Sequence, residues 1–351
     1  MNVRNNSLDL YKIICMFLIT TIHIIGYSQL SPTNTVNAFL VDFIEVLQYF
    51  SISGFTLIAG YFLVEKKSTN AKVINFIFLV SFFSILIYLI SLLIKPQFSF
   101  SLLFYSFFPF IFTHYWYPIN YLFLILLAPY LNQFAHSLSK KQLLIFICIL
   151  SFITSVYFHL SPVVEPEPYV GHYSHSMLWF ILLYFIAAYI KLHGIKRRKL
   201  FGPIMFSACG ILIFVLRIIA DYKIFNYINV LSYNSILSLL FTVSSFVIFL
   251  NLNINIGKTL SNGLSYCMPS IFVIYLIQEH NAVRNFLWDI VNITKWAESI
   301  WLLPIMLLVF VALLIMALLL NLLYQFAYEL FINKIVKAIL KVYDQVTSKV
   351  V

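Results

Sequence analysis

Charged residues are scarce in this sequence. Only 10% of its 351 residues are Asp, Glu, Lys or Arg, whereas a soluble globular protein averages about 25%. Hydrophobic residues make up 62% of the chain, and the mean hydropathy is +0.95. This balance excludes an ordinary soluble domain and predicts an all-α polytopic membrane protein.

Cysteine is also scarce, and common soluble-enzyme motifs are missing. The four cysteines lie in apolar runs with no CxxC pair, so the sequence predicts neither disulfides nor a cysteine metal cage. Glycine-rich nucleotide loops and a Ser/His/Asp hydrolase motif are absent. A proline-containing segment with several His and Glu residues matches no standard ligand spacing, so we predict no metal site. The residues concerned are Cys15, Cys148, Cys209 and Cys267, and His159, Glu165, Glu167, His172 and His175.

The positive charges are spread over short loops rather than gathered in one basic domain. The net charge is +10, yet no segment predicts a nucleic-acid partner. With ten spans, seventeen of the 22 Lys and Arg residues fall on the side of the termini and five on the other. Positively charged loops face the cytoplasm, which predicts that both termini are cytoplasmic.

Ten apolar runs approach the roughly 20 residues that a membrane-spanning helix needs. A shorter run, 100–113, is broken by Pro109, so we predict a re-entrant or interfacial segment there. The first run has only Arg4 before it and no cleavage site after it, which predicts a retained helix. The ten runs are 8–27, 39–63, 73–94, 118–135, 142–160, 176–192, 202–220, 232–251, 265–281 and 300–323.

The chain shows no internal repeat or linker. We therefore expect one membrane domain over residues 1–325, followed by a basic amphipathic cytoplasmic tail over residues 326–351. A helix of this kind is expected to lie along the inner membrane surface.

The first apolar run carries three ionisable residues, Asp9, Lys12 and His23. Lys12 and His23 are eleven residues apart, close to three helical turns, so they share one helix face. Ionisable residues inside a span are costly and predict function, and an imidazole can accept a proton from a hydroxyl near neutral pH. The alternative is that His23 only forms a hydrogen bond to a neighbouring helix.

Two carboxylates of the second run, Asp42 and Glu45, are predicted at about the depth of His23. Glu45 is a candidate to orient the imidazole, as in sites where a third group holds a catalytic base. Asp42 is more simply a helix cap at the start of its helix. Farther along, Arg217 and Asp221 are four residues apart and predict a pair at a helix end.

The other candidate residues lie at the two ends of the predicted helices. Lys12 and Asp9 lie near the predicted cytoplasmic end, where Lys12 either extends to the membrane surface or contacts a phosphate-bearing donor. At the opposite end, a group of polar residues closes the ninth run, which suits either a substrate-facing rim or an ordinary helix terminus. That group is Gln278, Glu279, His280 and Arg284.

The first run, LDLYKIICMFLITTIH, resembles the opening of the acyltransferase-3 family of integral membrane O-acyltransferases. That opening has Leu-Asp, a basic residue three positions after the Asp, and a histidine eleven positions later, which Asp9, Lys12 and His23 match. Three later segments resemble the family in the same order, so the resemblance covers most of the chain. They are FTLIAGYFLVEKK (55–67), YWYPINYLFLILLAPYLN (115–132) and SYCMPSIFVIYLIQEHNAVRNFLW (265–288).

The chain departs from the family pattern at two positions. Lys12 replaces the frequent arginine and cannot make a planar bidentate contact. Gln278 stands where the late motif usually has histidine, and this weakens any role assigned there, because glutamine is neither an acid nor a base.

The resemblance implies transfer of an acyl group, commonly acetyl, from a cytoplasmic acyl-CoA such as acetyl-CoA to a hydroxyl of an extracytoplasmic glycan or lipid-linked sugar. The donor is a substrate, and no bound cofactor is expected. His23 with Glu45 would be catalytic, Lys12 and Asp9 would contact the donor, and Glu279 and Arg284 would form the acceptor-side rim. The expected location is the bilayer of a bacterial cytoplasmic membrane.

Two other functions share the same outline. A polysaccharide flippase or polymerase also has many spans and large outer loops, but only five outward basic residues argue against gripping a long acidic polymer. A secondary transporter usually shows paired, interrupted helices in two halves, and no such symmetry is visible.

Overall fold

The structure is a computed structural model that describes residues 5–66, 70–112, 115–157, 176–195, 200–221, 231–252, 254 and 256–347. Within these ranges every regular element is a helix. The α-helices are α1 (Asn6–Tyr27), α2 (Thr35–Leu47), α3 (Ser51–Leu63), α4 (Asn70–Ile94), α5 (Phe100–Phe107), α6 (Trp116–Ser137), α7 (Lys140–Phe152), α8 (Met177–His193), α9 (Phe201–Asp221), α10 (Ile236–Asn251), α11 (Lys258–Glu279), α12 (Arg284–Val291), α13 (Leu302–Ala327) and α14 (Asn333–Thr347).

The helices follow the apolar runs of the sequence. Each of the ten runs lies largely within a helical segment, and seven helical segments of the described chain are long and apolar enough to cross a membrane. The prediction of an all-helical, multi-pass membrane protein is therefore confirmed, whereas the count of ten crossings stays a prediction. Helices α8 and α10 are apolar but shorter, and α6 is less apolar because it contains asparagine, glutamine and proline.

The short run at residues 100–113 folds as α5, a helix of eight residues. At 1.5 Å per residue α5 is about 12 Å long, too short for a hydrocarbon core of about 30 Å. Ser99 caps its start by accepting a hydrogen bond from the Leu102 N–H at 3.3 Å. Helix α5 is therefore too short to cross the membrane by itself, and the re-entrant or interfacial position of residues 100–113 stays a prediction.

Helix α1 lies at the centre of the bundle. It contacts α2, α3, α10, α11, α12 and α13. Its 22 residues correspond to about 33 Å, enough to span the hydrocarbon core. Asn5 caps its start by accepting hydrogen bonds from the Ser7 and Leu8 N–H groups. We name the two ends of the bundle after residues of this helix, the Lys12 end and the Tyr27 end.

Small residues let the central helices approach closely, as is usual between membrane helices. A Cβ atom added at Gly54 of α3 would lie 2.6 Å from the Tyr11 hydroxyl of α1. One added at Gly60 would lie 3.0 Å from Ala187 of α8. Helix α3 is therefore held between α1 and α8 at positions where a larger residue does not fit.

The last helix, α14, continues from α13 through a π-helical turn at Tyr328–Ile332, so the chain remains helical beyond residue 325. It contacts α4 through one face, where Val336 is buried. A second face is apolar and exposed, and a third carries lysines, an arrangement suited to the boundary between lipid and water. The apolar exposed face carries Ile335, Ile339 and Val342. The basic face carries Lys334, Lys337 and Lys341.

Candidate active site

His23 lies on α1, four residues before the helix ends at Tyr27. Its side chain is 18% exposed and borders a cavity of about 30 Å³. We call this the His23 cavity; its walls come from α1, α3, α6 and α11 and are mostly apolar. The other lining residues are Met16, Ile19, Ile52, Phe55, Trp116, Tyr117, Phe272 and Tyr275.

The Nδ1 atom of His23 lies 2.9 Å from the Oε1 atom of Gln278 on α11. Gln278 is fully buried, and its Nε2 atom donates a hydrogen bond of 3.0 Å to the Thr20 hydroxyl. Thr20 in turn donates to the Met16 carbonyl oxygen, at 2.9 Å. A chain of hydrogen bonds thus runs from the backbone of α1 to the imidazole.

This chain determines which imidazole nitrogen carries the proton. The single hydroxyl hydrogen of Thr20 points to Met16, so Thr20 must accept from the Gln278 amide group. Gln278 therefore presents its carbonyl oxygen to His23, and Nδ1 must be protonated to donate to it. In the neutral imidazole the lone pair is then on Nε2, which is free to accept a proton.

Glu279 follows Gln278 and places a carboxylate beside the other nitrogen. Its Oε1 atom is 3.5 Å from Nε2 of His23. The Tyr27 hydroxyl donates to the same oxygen at 2.7 Å, and Nη1 of Arg284 is 3.8 Å from Oε2. A proton that reaches Nε2 therefore meets a held negative charge, which stabilises the imidazolium ion.

Glu45 occupies a different place from the one predicted. Its carboxylate forms an ion pair with Arg217 of α9, and Arg217 also binds Asp42 at 3.0 Å. The carboxylate in contact with His23 belongs to Glu279, so the prediction that Glu45 orients the imidazole is corrected. The prediction for Glu45 rests on its depth, which is similar to that of His23. Depth along a helix does not determine which neighbour a side chain faces.

Asp42 and His280 also differ from their predicted roles. Asp42 lies in the third turn of α2, whose start is capped by Asn34, so Asp42 is no helix cap. His280 is fully buried rather than exposed at a rim, and its Nδ1 atom accepts a hydrogen bond from the Ala282 N–H at 3.1 Å. The side chain of Asp221 lies outside the described residues, as does the segment from His159 to His175.

Lys12 borders a second, larger cavity of about 350 Å³ at its own end of the bundle, which we call the Lys12 cavity. Lys72 at the start of α4 lies across it, and Asp9 holds Lys12 at 3.7 Å. The interior is lined by aromatic and aliphatic side chains, three of which also line the His23 cavity. The shared residues are Phe55, Tyr117 and Phe272.

Sequence reasoning missed Gln278, Thr20, Tyr27 and Lys72 as site residues. Gln278 was discounted because it has no acid–base chemistry, yet an amide is well suited to hold one tautomer. The available signal for Thr20 was its spacing, since it lies three residues before His23 and so on the same side of α1. Lys72 was visible only as one charge of a basic loop.

The model of the acyltransferase-3 family, described as an acyltransferase domain, matches residues 5–324. The chain belongs to the acyltransferase-3 family. The matched range includes all residues of both cavities, and the family resemblance of the first helix is confirmed. No curated protein and no solved structure matches the chain.

Membership makes this acyltransferase-3 protein a membrane acyltransferase. The site contains the elements that acyl transfer needs from a protein. It holds an imidazole with an unprotonated nitrogen, a carboxylate 3.5 Å from that nitrogen, and two cavities that share three wall residues, the larger of which is lined by Lys12 and Lys72.

Proposed function

We propose that this protein transfers an acyl group from an acyl-CoA to a hydroxyl of a polysaccharide or lipid-linked sugar. The expected acyl group is acetyl. The donor enters at the Lys12 end, which the distribution of loop charges predicts to be cytoplasmic, and the acceptor approaches from the Tyr27 end. One observation carries the proposal: His23, whose Nδ1 atom is bonded to Gln278, lines a cavity that shares three wall residues with the Lys12 cavity.

The donor end of the proposal rests on charge and shape. Lys12 and Lys72 supply two cationic groups for the phosphates of coenzyme A, which are anionic at neutral pH. The apolar walls between them and His23 suit the uncharged arm that carries the thioester. The His23 cavity, at about 30 Å³, has room for a small acyl group and favours acetyl over longer chains.

The chemistry proceeds by base-assisted attack. Nε2 of His23 accepts the proton of the acceptor hydroxyl as its oxygen forms a bond to the thioester carbonyl carbon. The carbon–sulfur bond then breaks, and the leaving thiolate takes the proton from Nε2 to give the free thiol. Glu279 stabilises the imidazolium ion between these steps, and Gln278 keeps Nδ1 protonated throughout.

Mass spectrometry of surface glycans provides the test. Cells producing the wild type, His23→Ala or no protein are compared, with the amount of protein in the membrane checked by immunoblot. We expect a mass increment of one acyl group with the wild type and a loss of about 100-fold or more in His23→Ala. An equal mass increment with the wild type and with His23→Ala would show that His23 takes no part in the chemistry. A change in glycan length or export without an increment would favour the flippase or polymerase function.

The donor is identified in a second experiment. Purified protein in lipid nanodiscs is incubated with acetyl-CoA carrying a labelled acetyl group, and label transferred to added glycan is measured. Lys72→Ala is expected to raise the KM for acetyl-CoA about tenfold and to leave kcat little changed, since Lys72 would contact only the distant phosphates. An unchanged KM would remove Lys72 from the donor site.

A further inference from the structure

His280 lies at the point where α11 ends and the chain turns toward α12. Its side chain is fully buried, and its backbone is extended, so it is the first residue after the helix. Its carbonyl oxygen accepts hydrogen bonds from the N–H groups of Val283 at 2.9 Å and Arg284 at 2.8 Å, where α12 starts. The imidazole of His280 has no role in the reaction proposed above, although it is buried beside the residues that take part.

The hydrogen bonds of this imidazole define its tautomer. Nδ1 accepts from the Ala282 N–H at 3.1 Å. A neutral imidazole that accepts at one nitrogen carries its proton on the other, so Nε2 is the donor. His23 has the opposite tautomer, because its Nδ1 atom donates to Gln278.

The Nε2 atom of His280 faces two buried serine hydroxyl groups from different helices. It lies 3.5 Å from Oγ of Ser84 on α4 and 3.4 Å from Oγ of Ser106 on α5. Ser106 donates its own hydrogen to the Leu102 carbonyl oxygen at 2.7 Å, so its hydroxyl oxygen is an acceptor for His280. The imidazole therefore joins the end of α11 to α4 and α5.

A second hydrogen bond holds the last turn of α11. The last four carbonyl groups of a helix have no partner within the helix. The Tyr115 hydroxyl donates to one of them, the Leu276 carbonyl oxygen, at 3.1 Å. Tyr115 is itself fully buried, and its ring centroid is 6.2 Å from that of His280. Groups from outside the helix thus fix the position of its last turn.

This last turn carries the two residues that contact His23. Gln278 lies 2.9 Å from Nδ1 and Glu279 lies 3.5 Å from Nε2, so both contacts require one position and one rotation of α11. A displacement of about 1 Å would lengthen the Gln278 hydrogen bond beyond the usual range. The contacts of His280 oppose such a displacement.

We propose that His280 is a positioning residue for acyl transfer. Its imidazole fixes the end of α11 against α4 and α5, so that Gln278 and Glu279 meet the two nitrogens of His23 together. This role rests on the proposed function for the reaction that His23 performs, but the contact between Gln278 and His23 can be measured without any acyl transfer.

Solid-state NMR of the full chain in lipid bilayers, with isotope-labelled histidine, provides that measurement. Protonated and unprotonated ring nitrogens differ in chemical shift, so the tautomer of each histidine can be read, and His23→Gln and His280→Gln assign the signals. We expect the Nδ1–H tautomer for His23 and the Nε2–H tautomer for His280. A His280 ring protonated at Nδ1 in the wild type would overturn the proposal.

A serine double variant tests whether His280 acts on the site. Ser84→Ala with Ser106→Ala removes both acceptors and keeps His280, and alanine is the best helix former, so the variant should fold. We expect His23 to become a mixture of tautomers, since Gln278 is no longer held at one distance. An unchanged His23 tautomer in this variant would overturn the proposal.

Ser91→Ala is the matched control for the double variant. Ser91 is also a buried serine of α4, but its hydroxyl donates to the Tyr88 carbonyl oxygen of the same helix. The control should keep the His23 tautomer of the wild type. A mixture of tautomers in the control as well would attribute the change to the loss of any buried serine and would overturn the proposal.

Kinetics with labelled acetyl-CoA distinguish positioning from a structural role. His280→Asn keeps an acceptor near the place of Nδ1 but has no donor that reaches the serines, whereas His280→Gln has a donor near the place of Nε2. We expect His280→Asn to lower kcat about tenfold with an unchanged KM for acetyl-CoA, and His280→Gln to retain more activity. In a chain that carries Glu279→Gln, the same asparagine change should cost less, because part of its effect acts through the carboxylate. Equal losses in both backgrounds would overturn the proposal.

The two measurements separate this proposal from the proposed function. Transfer by the wild type, with kcat and the His23 tautomer unchanged in the His280 and serine variants, would overturn the positioning role and keep the function. A His23 tautomer that depends on the two serines, without transfer by the wild type, would keep the positioning of α11 and overturn the function.

Discussion

Two clusters of ionisable side chains lie within the helices toward the Tyr27 end, and they are built differently. In one, Arg217 of α9 binds both Asp42 and Glu45 of α2. In the other, Glu279 is held by Tyr27 and more distantly by Arg284, and it faces His23 across 3.5 Å. In the first cluster both carboxylates are bound by the same guanidinium. The second leaves a nitrogen lone pair and a carboxylate side by side at a cavity.

The difference shows why charge inside a membrane helix is an incomplete signal of function. In the Arg217 cluster the guanidinium and both carboxylates already bind one another, so these groups join two helices and are less available to a substrate. In the second cluster, Nε2 of His23 forms an ion pair with Glu279 only when it is protonated, so this cluster can accept a proton. The predictions below test this contrast between the Arg217 cluster and the His23 cluster, beginning with the largest expected effect.

Glu279→Gln is expected to lower the rate of acylation per molecule of protein by about 10- to 100-fold. The amide keeps the size of the side chain but removes the charge that stabilises protonated His23. Glu45→Gln in the Arg217 cluster is the matched control and should retain most activity. Quantitative mass spectrometry of the glycan measures both variants, and equal losses would contradict the contrast.

Gln278→Leu should lower activity about tenfold, because leucine cannot accept the Nδ1 proton of His23 and the imidazole loses its fixed tautomer. Gln278→His, the residue usual in the family, offers a ring nitrogen as acceptor and should retain more activity than leucine. The rates of the two variants are compared at equal protein amounts. If the Gln278→Leu variant were as active as the wild type, the hydrogen-bond chain through Thr20 would have no catalytic role.

Arg217→Met should lower the free energy of unfolding by about 1–3 kcal/mol, since it removes the guanidinium that binds Asp42 and Glu45 between helices. The value lies below that of a fully buried pair because these side chains are partly exposed, 27% for Arg217. Adding Asp42→Asn and Glu45→Gln should recover most of the loss. Thermal unfolding in detergent measures both variants. An unchanged unfolding midpoint in Arg217→Met would show that the Arg217 cluster does not stabilise the fold.

The smallest effect is expected at Glu298, a carboxylate satisfied by hydrogen bonds. The N–H groups of Thr33 and Asn34 donate to it and hold its pKa at about 2, below its usual range. Since the pKa is lowered in the folded state, the stabilisation is complete above the ordinary pKa and is lost as the pH falls toward 2. Glu298→Gln should therefore lower the melting temperature slightly at pH 7, and the difference from the wild type should vanish near pH 2.

The helices and the position of His23 on α1 could be predicted from the sequence, because both depend on local pattern. Apolar runs of the required length become helices, and the spacing of Lys12 and His23 places them on one side of α1. His23 was singled out by the cost of an ionisable group inside a span, a property of one residue in one helix.

The partners of His23 could not be predicted in the same way. Gln278 and Glu279 are more than 250 residues away along the chain and meet His23 only because α11 packs against α1. Depth in the membrane follows from position in a helix, so the sequence can predict the depth of Glu45 but not the neighbour that its side chain faces. The rotation of α2 about its own axis, which turns Glu45 toward Arg217, depends on packing that no local pattern encodes.

The close approach at Gly54 has a consequence for selectivity. Ile52 and Phe55, on either side of this glycine, form one wall of the His23 cavity, and Tyr11 leaves no room for a Cβ between α3 and α1. The width of the His23 cavity therefore depends on the absence of a Cβ atom at Gly54, a residue that does not itself line the cavity. Engineering the chain toward bulkier acyl groups would begin with the spacing of these two helices, before any change to the groups that perform the reaction.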